Sequence, residues 1–288
     1  MSTEEFEYSK AFSRNIGWFS EQEQTTLKNS KVAIAGCGGV GGIHSTTMAR
    51  LGVGHFHLAD FDDFGVENFN RQVGATMATV GKPKMQVMNN MLQSINPEAK
   101  LTSFPKGINS DNVEEFLDGV DLYIDSLDFF AIQARREVFA QCAIKGIPAV
   151  TAAPLGMGTA FLCFMPGKMT FEEYFGMEGK SETEQYLRFY LGLAPASLQS
   201  HYLVDPTRLN LAEKKGPSTI IGCTMSAGVA GAYAVKILLG RGELICAPEG
   251  MHWDPYMNQM EKTHIPDGHQ NPSFIENLQA AKQAFNIE

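Results

Sequence analysis

Residues 31–42 read KVAIAGCGGVGG, and beyond the helix that should follow them the chain reaches HFHLAD, residues 55–60. Lys31 to Ala35 is an apolar run of strand length, Gly36, Gly38, Gly39 and Gly41 permit a tight turn, and the next residues open a helix. Without a Cβ the backbone takes positive φ freely, and the amides at a helix start can approach an anionic phosphate, which the helix dipole also favours. Asp60 ends the second apolar strand, where a carboxylate accepts hydrogen bonds from a ribose; an aspartate there can also cap a turn. The fingerprint predicts a nucleotide on the first strand–helix turn and leaves NAD, FAD and ATP open.

The segment that follows, FDDFGVENFNRQVGATMATVGKPKMQ (61–86), supplies Asn68, Arg71 and Lys84 behind that carboxylate. A helix N-terminus already neutralises much of the charge of two phosphates, whereas a triphosphate needs further cations. Arg71 offers a planar guanidinium that can bridge two oxygens, and Lys84 a compact point charge. Taken singly, each is more often a solvated surface group; the ordered set reverses that weighting.

GxGGxG, a strand-ending aspartate, NxxRQ, GKPK and the DxxD of Asp125 to Asp128 together resemble the ThiF/MoeB and ubiquitin-activating-enzyme superfamily. These five motifs fall in order across roughly the first half of the chain. The resemblance implies one adenylation domain over residues 1–288. Its fold is α/β: a Rossmann-like, doubly wound, mostly parallel sheet with an antiparallel C-terminal extension. It also implies use of ATP and Mg2+ to activate a carboxylate as an acyl-adenylate with release of pyrophosphate. The carboxylate is either the C-terminus of a ubiquitin-like carrier protein or that of a peptide or amino acid. Arg14, in YSKAFSRNI (8–16), matches an arginine that the family carries in an N-terminal helix, expected here over 8–30, and extends across a homodimer to the partner's ATP. Residues 168–216 match the crossover insert that covers the acceptor.

In that chemistry the enzyme orients two reactants and neutralises charge growing on phosphate oxygens. Arg71, Lys84 and a partner's Arg14 are the candidate cations, and Asn68 can hydrogen-bond ribose or phosphate. Asp128 is the candidate magnesium contact, because magnesium is usually held by one or two carboxylates together with substrate phosphates and waters. Asp62 matches a second acidic position, and Asp125 is expected to cap backbone or support the site from behind. Two competing readings remain: an NAD- or FAD-binding oxidoreductase, and a noncatalytic nucleotide-binding partner.

Departures from the family pattern narrow the acceptor. Many relatives hold zinc between two CxxC pairs, and this chain has no CxxC; its five cysteines are scattered, so neither zinc nor a disulfide framework is expected. Cys223, near a helix start, is the best-placed cysteine for a covalent role, yet its apolar neighbours favour an inert buried thiol. Phe129 follows Asp128 where relatives often have asparagine. His55 and His57 share a strand face with no third ligand in view, and His201 and His252 are candidates only for acceptor contact.

Further strands are expected near 100–104, 121–126 and 148–152, with helices over 84–95 and 131–145. TAFLCFMPG (159–167) reads as an antiparallel strand, and the insert should contain a helix over 181–191. Residues 219–239 read as a buried helix rich in small residues, too short in its apolar run for a membrane span. Strands near 251–254 and 260–264 and a terminal helix from Ser273, its expected N-cap, to Phe285 complete the reading. With 44% hydrophobic residues the 288-residue chain can bury a substantial core, and a net charge of −9 argues against a broad nucleic-acid surface. MSTEEFEYSK lacks the basic start and apolar core of a signal peptide, so a cytoplasmic location is expected.

Overall fold

The computed structural model describes residues 5–210 and 213–284. Residues 211–212 of the insert and Phe285, the expected end of the terminal helix, lie outside the described residues.

Eight strands form one sheet in the order β3-β2-β1-β4-β5-β6-β7-β8. They are β1 Lys31–Ala35, β2 His55–Ala59, β3 Lys100–Phe104, β4 Leu122–Asp125, β5 Ala149–Leu155, β6 Gly158–Phe164, β7 Glu249–Asp254 and β8 Gln259–His264. The pairings among β1 to β5 are parallel, and those of β6 with β5 and β7, and of β7 with β8, are antiparallel. The mostly parallel sheet with its antiparallel extension is therefore as the sequence predicts. Both faces of the central strands are covered, which is why β1 is apolar from its second residue: Val32 and Ile34 enter one core, Ala33 and Ala35 the other.

One face carries α3 (Gly39–Leu51), α4 (Lys84–Ile95) and α9 (Ile220–Leu238). Met48, Phe56, Met88, Phe161 and Tyr233 pack there, so these methionines fill core space. At 19 residues α9 is long and apolar enough to cross a membrane by length and composition. It behaves as a core helix: half of that stretch is buried, Ser226 hydrogen-bonds Thr159 of β6 at 2.9 Å, and Gly231 faces Thr47 and Met48 of α3.

The opposite face carries α5 (Val113–Phe116), α6 (Ile132–Lys145) and two insert helices, α7 (Phe171–Phe175) and α8 (Glu182–Leu193). Phe139, Phe164, Phe171, Phe175 and Phe189 form a continuous run of aromatic contacts with centroids 4.5–6.3 Å apart, which fastens the insert to α6 and β6. His57 is buried on this face against Phe104 and Phe116 and bonds the Phe116 carbonyl at 2.7 Å, while His55 is partly exposed; among the described residues the pair belongs to no metal cluster.

Two local expectations are corrected. The single helix expected over 8–30 is α1 (Tyr8–Ala11), a 3-10 turn at Ser13–Asn15 and α2 (Glu21–Asn29). The break follows from the Ser20/Glu23 capping box, which starts a helix afresh. The terminal helix α10 (Pro272–Ala284) is capped by Asn271, not Ser273: its Oδ1 accepts from the amides of Ser273 (3.0 Å) and Phe274 (3.4 Å), with Pro272 at the first helical position.

Candidate active site

Between β1 and β4 the sheet order reverses, and loops leaving the carboxyl ends of these strands diverge around a crevice. Two glycines let the loops meet at its floor. Gly36 has φ +92°, and a methyl group there would overlap the carbonyl oxygen of Ser126; at Gly41 one would overlap the Gly36 carbonyl oxygen. Helix α3 starts just above, at Gly39, and no side chain caps its first amides. Those donors therefore remain available to an anion.

Asp60 stands at the crevice as expected, and its oxygens already accept from the Cys37 amide at 2.6 Å and the Asp62 amide at 2.8 Å. The turn cap and the carboxylate expected to meet a ribose are thus the same residue. Lys84 is nearly buried, with 7% of its side chain exposed, and its Nζ pairs with Asp62 at 3.0 Å. Asp62 is a counter-ion as well as an acidic motif position.

Arg71 lays its stem against the helix start, with Cγ 3.3 Å from where a Gly39 methyl would stand, and its Nη1 donates to Asn70 Oδ1 (2.9 Å) and the Glu67 carbonyl (3.1 Å). Asn68 is buried and accepts the Gly65 amide at 2.9 Å, so it shapes the loop that presents Arg71. Cys223 reaches the same spot from α9, its Sγ 3.2 Å from that methyl position. At 1% exposure burial pushes its thiol pKa up, while Ser218 and the Arg71 charge pull it down. The net direction is upward, which suits an inert thiol.

Two contributors were not singled out from sequence. Gln72 is buried with its amide 3.5 Å from where a Gly38 methyl would stand, and its Oε1 has no protein partner. It is the last letter of NxxRQ, so the signal was present. Arg135 has no such signal. From α6 it pairs with Asp125 at 2.7 Å, with side chains 3% and 1% exposed, and donates to the carbonyls of Leu127 (2.6 Å), Asp128 (3.1 Å) and Phe129 (3.3 Å). Asp125 also accepts the Leu127 amide at 3.2 Å, so the pair holds the loop after β4 from beneath. Asp128 on that loop is exposed, and its Oδ1 accepts the Phe130 amide at 3.0 Å. The departure at Phe129 has a packing reason: its ring meets Tyr186 and Phe189 of α8, joining the loop to the insert.

Arg14 is not brought to this crevice. Its neighbour Asn15 bonds the Leu51 carbonyl at the far end of α3, and thirteen helical residues place that end about 18 Å from the glycine turn. Among the described residues no three His, Cys, Asp or Glu gather as a metal site. An exposed carboxylate at the crevice, as Asp128 is, nevertheless suits magnesium, which takes one or two carboxylates together with substrate phosphates and water.

The ThiF family model matches residues 12–273, nearly the whole chain. The chain belongs to the ThiF family. Among ThiF family relatives, the tRNA threonylcarbamoyladenosine dehydratase of Bacillus subtilis (strain 168) is 37% identical over 142 residues, 49% of this chain and 55% of the relative. The sulfur carrier protein ThiS adenylyltransferase of Escherichia coli (strain K12) is 32% identical over 143 residues, 50% of this chain and 56% of the relative. The chain thus spans about half the length of the curated relatives it matches. The crystal structure of PaaA superposes with TM-score 0.69 at 18% identity, covering 92% of this chain and 77% of PaaA; that of E. coli MccB with ATP gives 0.64 at 22%, covering 91% and 72%. These two establish the fold.

Proposed function

We propose that residues 1–288 act as one adenylation unit that binds ATP in the crevice and activates a carboxylate. The observation that carries this is the meeting of Arg71, the Lys84–Asp62 pair and the Asp128 loop around a helix start with free amides. Asp60 takes the ribose, Arg71 and Lys84 take phosphate oxygens, and Gln72 adds an unpaired acceptor or, by its amide nitrogen, a donor. Asp128 would hold magnesium, which would supply charge neutralisation at the phosphates. An acceptor carboxylate oxygen attacks the α-phosphorus, the bond to pyrophosphate breaks, and the acyl group gains AMP as leaving group. The protein's part is orientation and charge stabilisation.

A peptide or amino-acid carboxylate is favoured over a carrier passed on through a thioester, because Cys223, the candidate thiol at the crevice, is buried and its pKa is raised. Among related proteins, one is named for the sulfur carrier protein ThiS, and MccB has been crystallised with MccA-N7isoASN.

The working form is a homodimer. Ile16, Trp18, Val66, Phe69, Val73 and Met77 are exposed by 38–82% and lie toward the two ends of α3. A two-fold axis across α3 exchanges those ends, covering both groups and delivering each Arg14 to the other subunit's glycine turn.

ATP–pyrophosphate exchange across a panel of peptides, amino acids and carrier-protein tails tests the reading. Carboxylate-dependent exchange is expected. Preference for NADH over Mg-ATP in equilibrium binding would replace it with an oxidoreductase, and ATP binding without exchange on any carboxylate with a noncatalytic partner.

A further inference from the structure

Beyond the aromatic run that fastens α7 and α8, the later part of the insert bonds the sheet edge through the hydroxyl of Tyr202, whose ring also meets Tyr256 at 4.6 Å. Residues 198–202 form a 3-10 turn ending at Tyr202. Its phenol donates to Asp254 Oδ2 at 2.6 Å and accepts the Met157 amide at 2.7 Å. Asp254 is the fully buried last residue of β7, and Met157 is in the turn between β5 and β6. Both lie at the carboxyl edge of the sheet, the edge that also holds the crevice. Gly156 makes room for this bond, since a methyl there would overlap the phenol oxygen. Burial and the Asp254 carboxylate push the phenol pKa up to about 12, so it stays a donor at neutral pH. Just beyond Tyr202 the chain leaves the surface, with Val204 97% exposed.

The ground beneath this attachment is polar and unfinished. His252 is opposite Ala160 in the β6–β7 register and so faces the insert side, as Ala160 does. It is fully buried, and neither ring nitrogen has a protein partner. Gln199, on the same turn as Tyr202, packs its Cβ beside Gly156 and donates to the Tyr190 hydroxyl at 2.8 Å, while its Oε1 is buried without a partner. A core completed by its own side chains pairs such atoms. Together they offer two acceptors and a ring N–H, the complement of amide groups along a peptide.

We propose that Tyr202 is a latch: its two hydrogen bonds hold residues 198–210 on the sheet edge, and their release lifts that segment, Gln199 with it, to admit an acceptor chain over His252. Naming the guest as the acceptor rests on the adenylation reading; the latch does not. Tyr202 is a positioning residue, acting through the segment it holds.

Limited trypsin digestion of the full chain tests it, reading first-order cleavage after Arg208, Lys214 and Lys215 in the insert. Tyr202→Phe should speed these cuts about tenfold, the worth of one hydrogen bond to a charged group. Asp254→Ala should raise them too, and the double variant should be no faster than Tyr202→Phe alone, because Tyr202→Phe already removes the bond to Asp254. Cuts after Arg50 and Lys236 should keep their rates. Should Asp254→Ala fail to fold, Asp254→Asn, which removes the charge and keeps the side chain's shape, serves in its place. Insert cleavage unchanged within about twofold in Tyr202→Phe would overturn the latch, as would additive single effects or an equal rise at Arg50 and Lys236. Calorimetric titration with Mg-ATP separates the two ideas: no binding by the wild type sinks the adenylation reading and leaves the cleavage result standing.

Discussion

Replacing Arg135 by methionine removes the cation that, among the described residues, is bonded to Asp125 and keeps most of the apolar stem. The carboxylate is 1% exposed, and it would retain only the Leu127 amide at 3.2 Å and the Tyr123 hydroxyl at 3.3 Å. Breaking a buried pair by deleting one partner costs about 3–5 kcal/mol, a fifth or more of the roughly 5–15 kcal/mol that stabilise an ordinary domain. The same change frees the carbonyls of Leu127, Asp128 and Phe129 and removes a guanidinium stacked 4.4 Å over Phe189. Urea unfolding should therefore show a midpoint lowered by that free energy at unchanged slope. Mg-ATP affinity should fall about tenfold because the Asp128 loop is no longer held. Combining Arg135→Met with Asp125→Asn removes both charges, so the double variant should recover about 2 kcal/mol or more relative to the sum of the singles. A cost below about 1 kcal/mol for Arg135→Met, or simple additivity, would refute the view that this pair supports the loop.

Other outcomes follow from the same geometry. Arg71→Ala should lower pyrophosphate exchange about 100-fold or more with the urea midpoint nearly unchanged, whereas Lys84→Ala should lower both, since Lys84 is buried and paired; an unaltered exchange rate in either removes that residue from the site. Gly41→Ala should abolish ATP binding by forcing the first turn off the β4 loop, and calorimetry showing wild-type affinity would contradict the packing. Arg14→Ala should be rescued in mixed dimers with an Arg71→Ala subunit; failure of rescue in verified heterodimers counts against a shared site. His44 on α3 is fully buried, which pushes its pKa down to about 3. The unfolded chain takes up a proton there below about pH 6.5 that the native state refuses until about pH 3, so stability is complete above that window and falls with acid. The loss is about 1.4 kcal/mol per pH unit. His44→Leu should flatten the decline in urea midpoint between about pH 6 and 4.5, and an identical decline would show that the imidazole is accommodated on protonation.

What the sequence determined by itself was local. Strand-length apolar runs, the glycine turn, the strand-ending Asp60 and the small-residue face of α9 each report how a short segment meets its surroundings, and a period of two or 3.6 residues carries that information without knowledge of the partner. The same locality explains the misses. A capping box at Ser20 and an asparagine cap at Asn271 are short-range signals, and a closer reading of those residues finds them. Only the tertiary structure decided which distant groups meet. Arg135 reaches Asp125 because α6 returns across β4, and Cys223 and Arg71 share the space over Gly39 because α9 packs beside α3. Arg14 stands at the wrong end of α3 to serve its own crevice, and Tyr202 finds Asp254 across 52 residues. Such pairings depend on strand order and crossover path, which chain closure and core packing select together and no single window of sequence encodes.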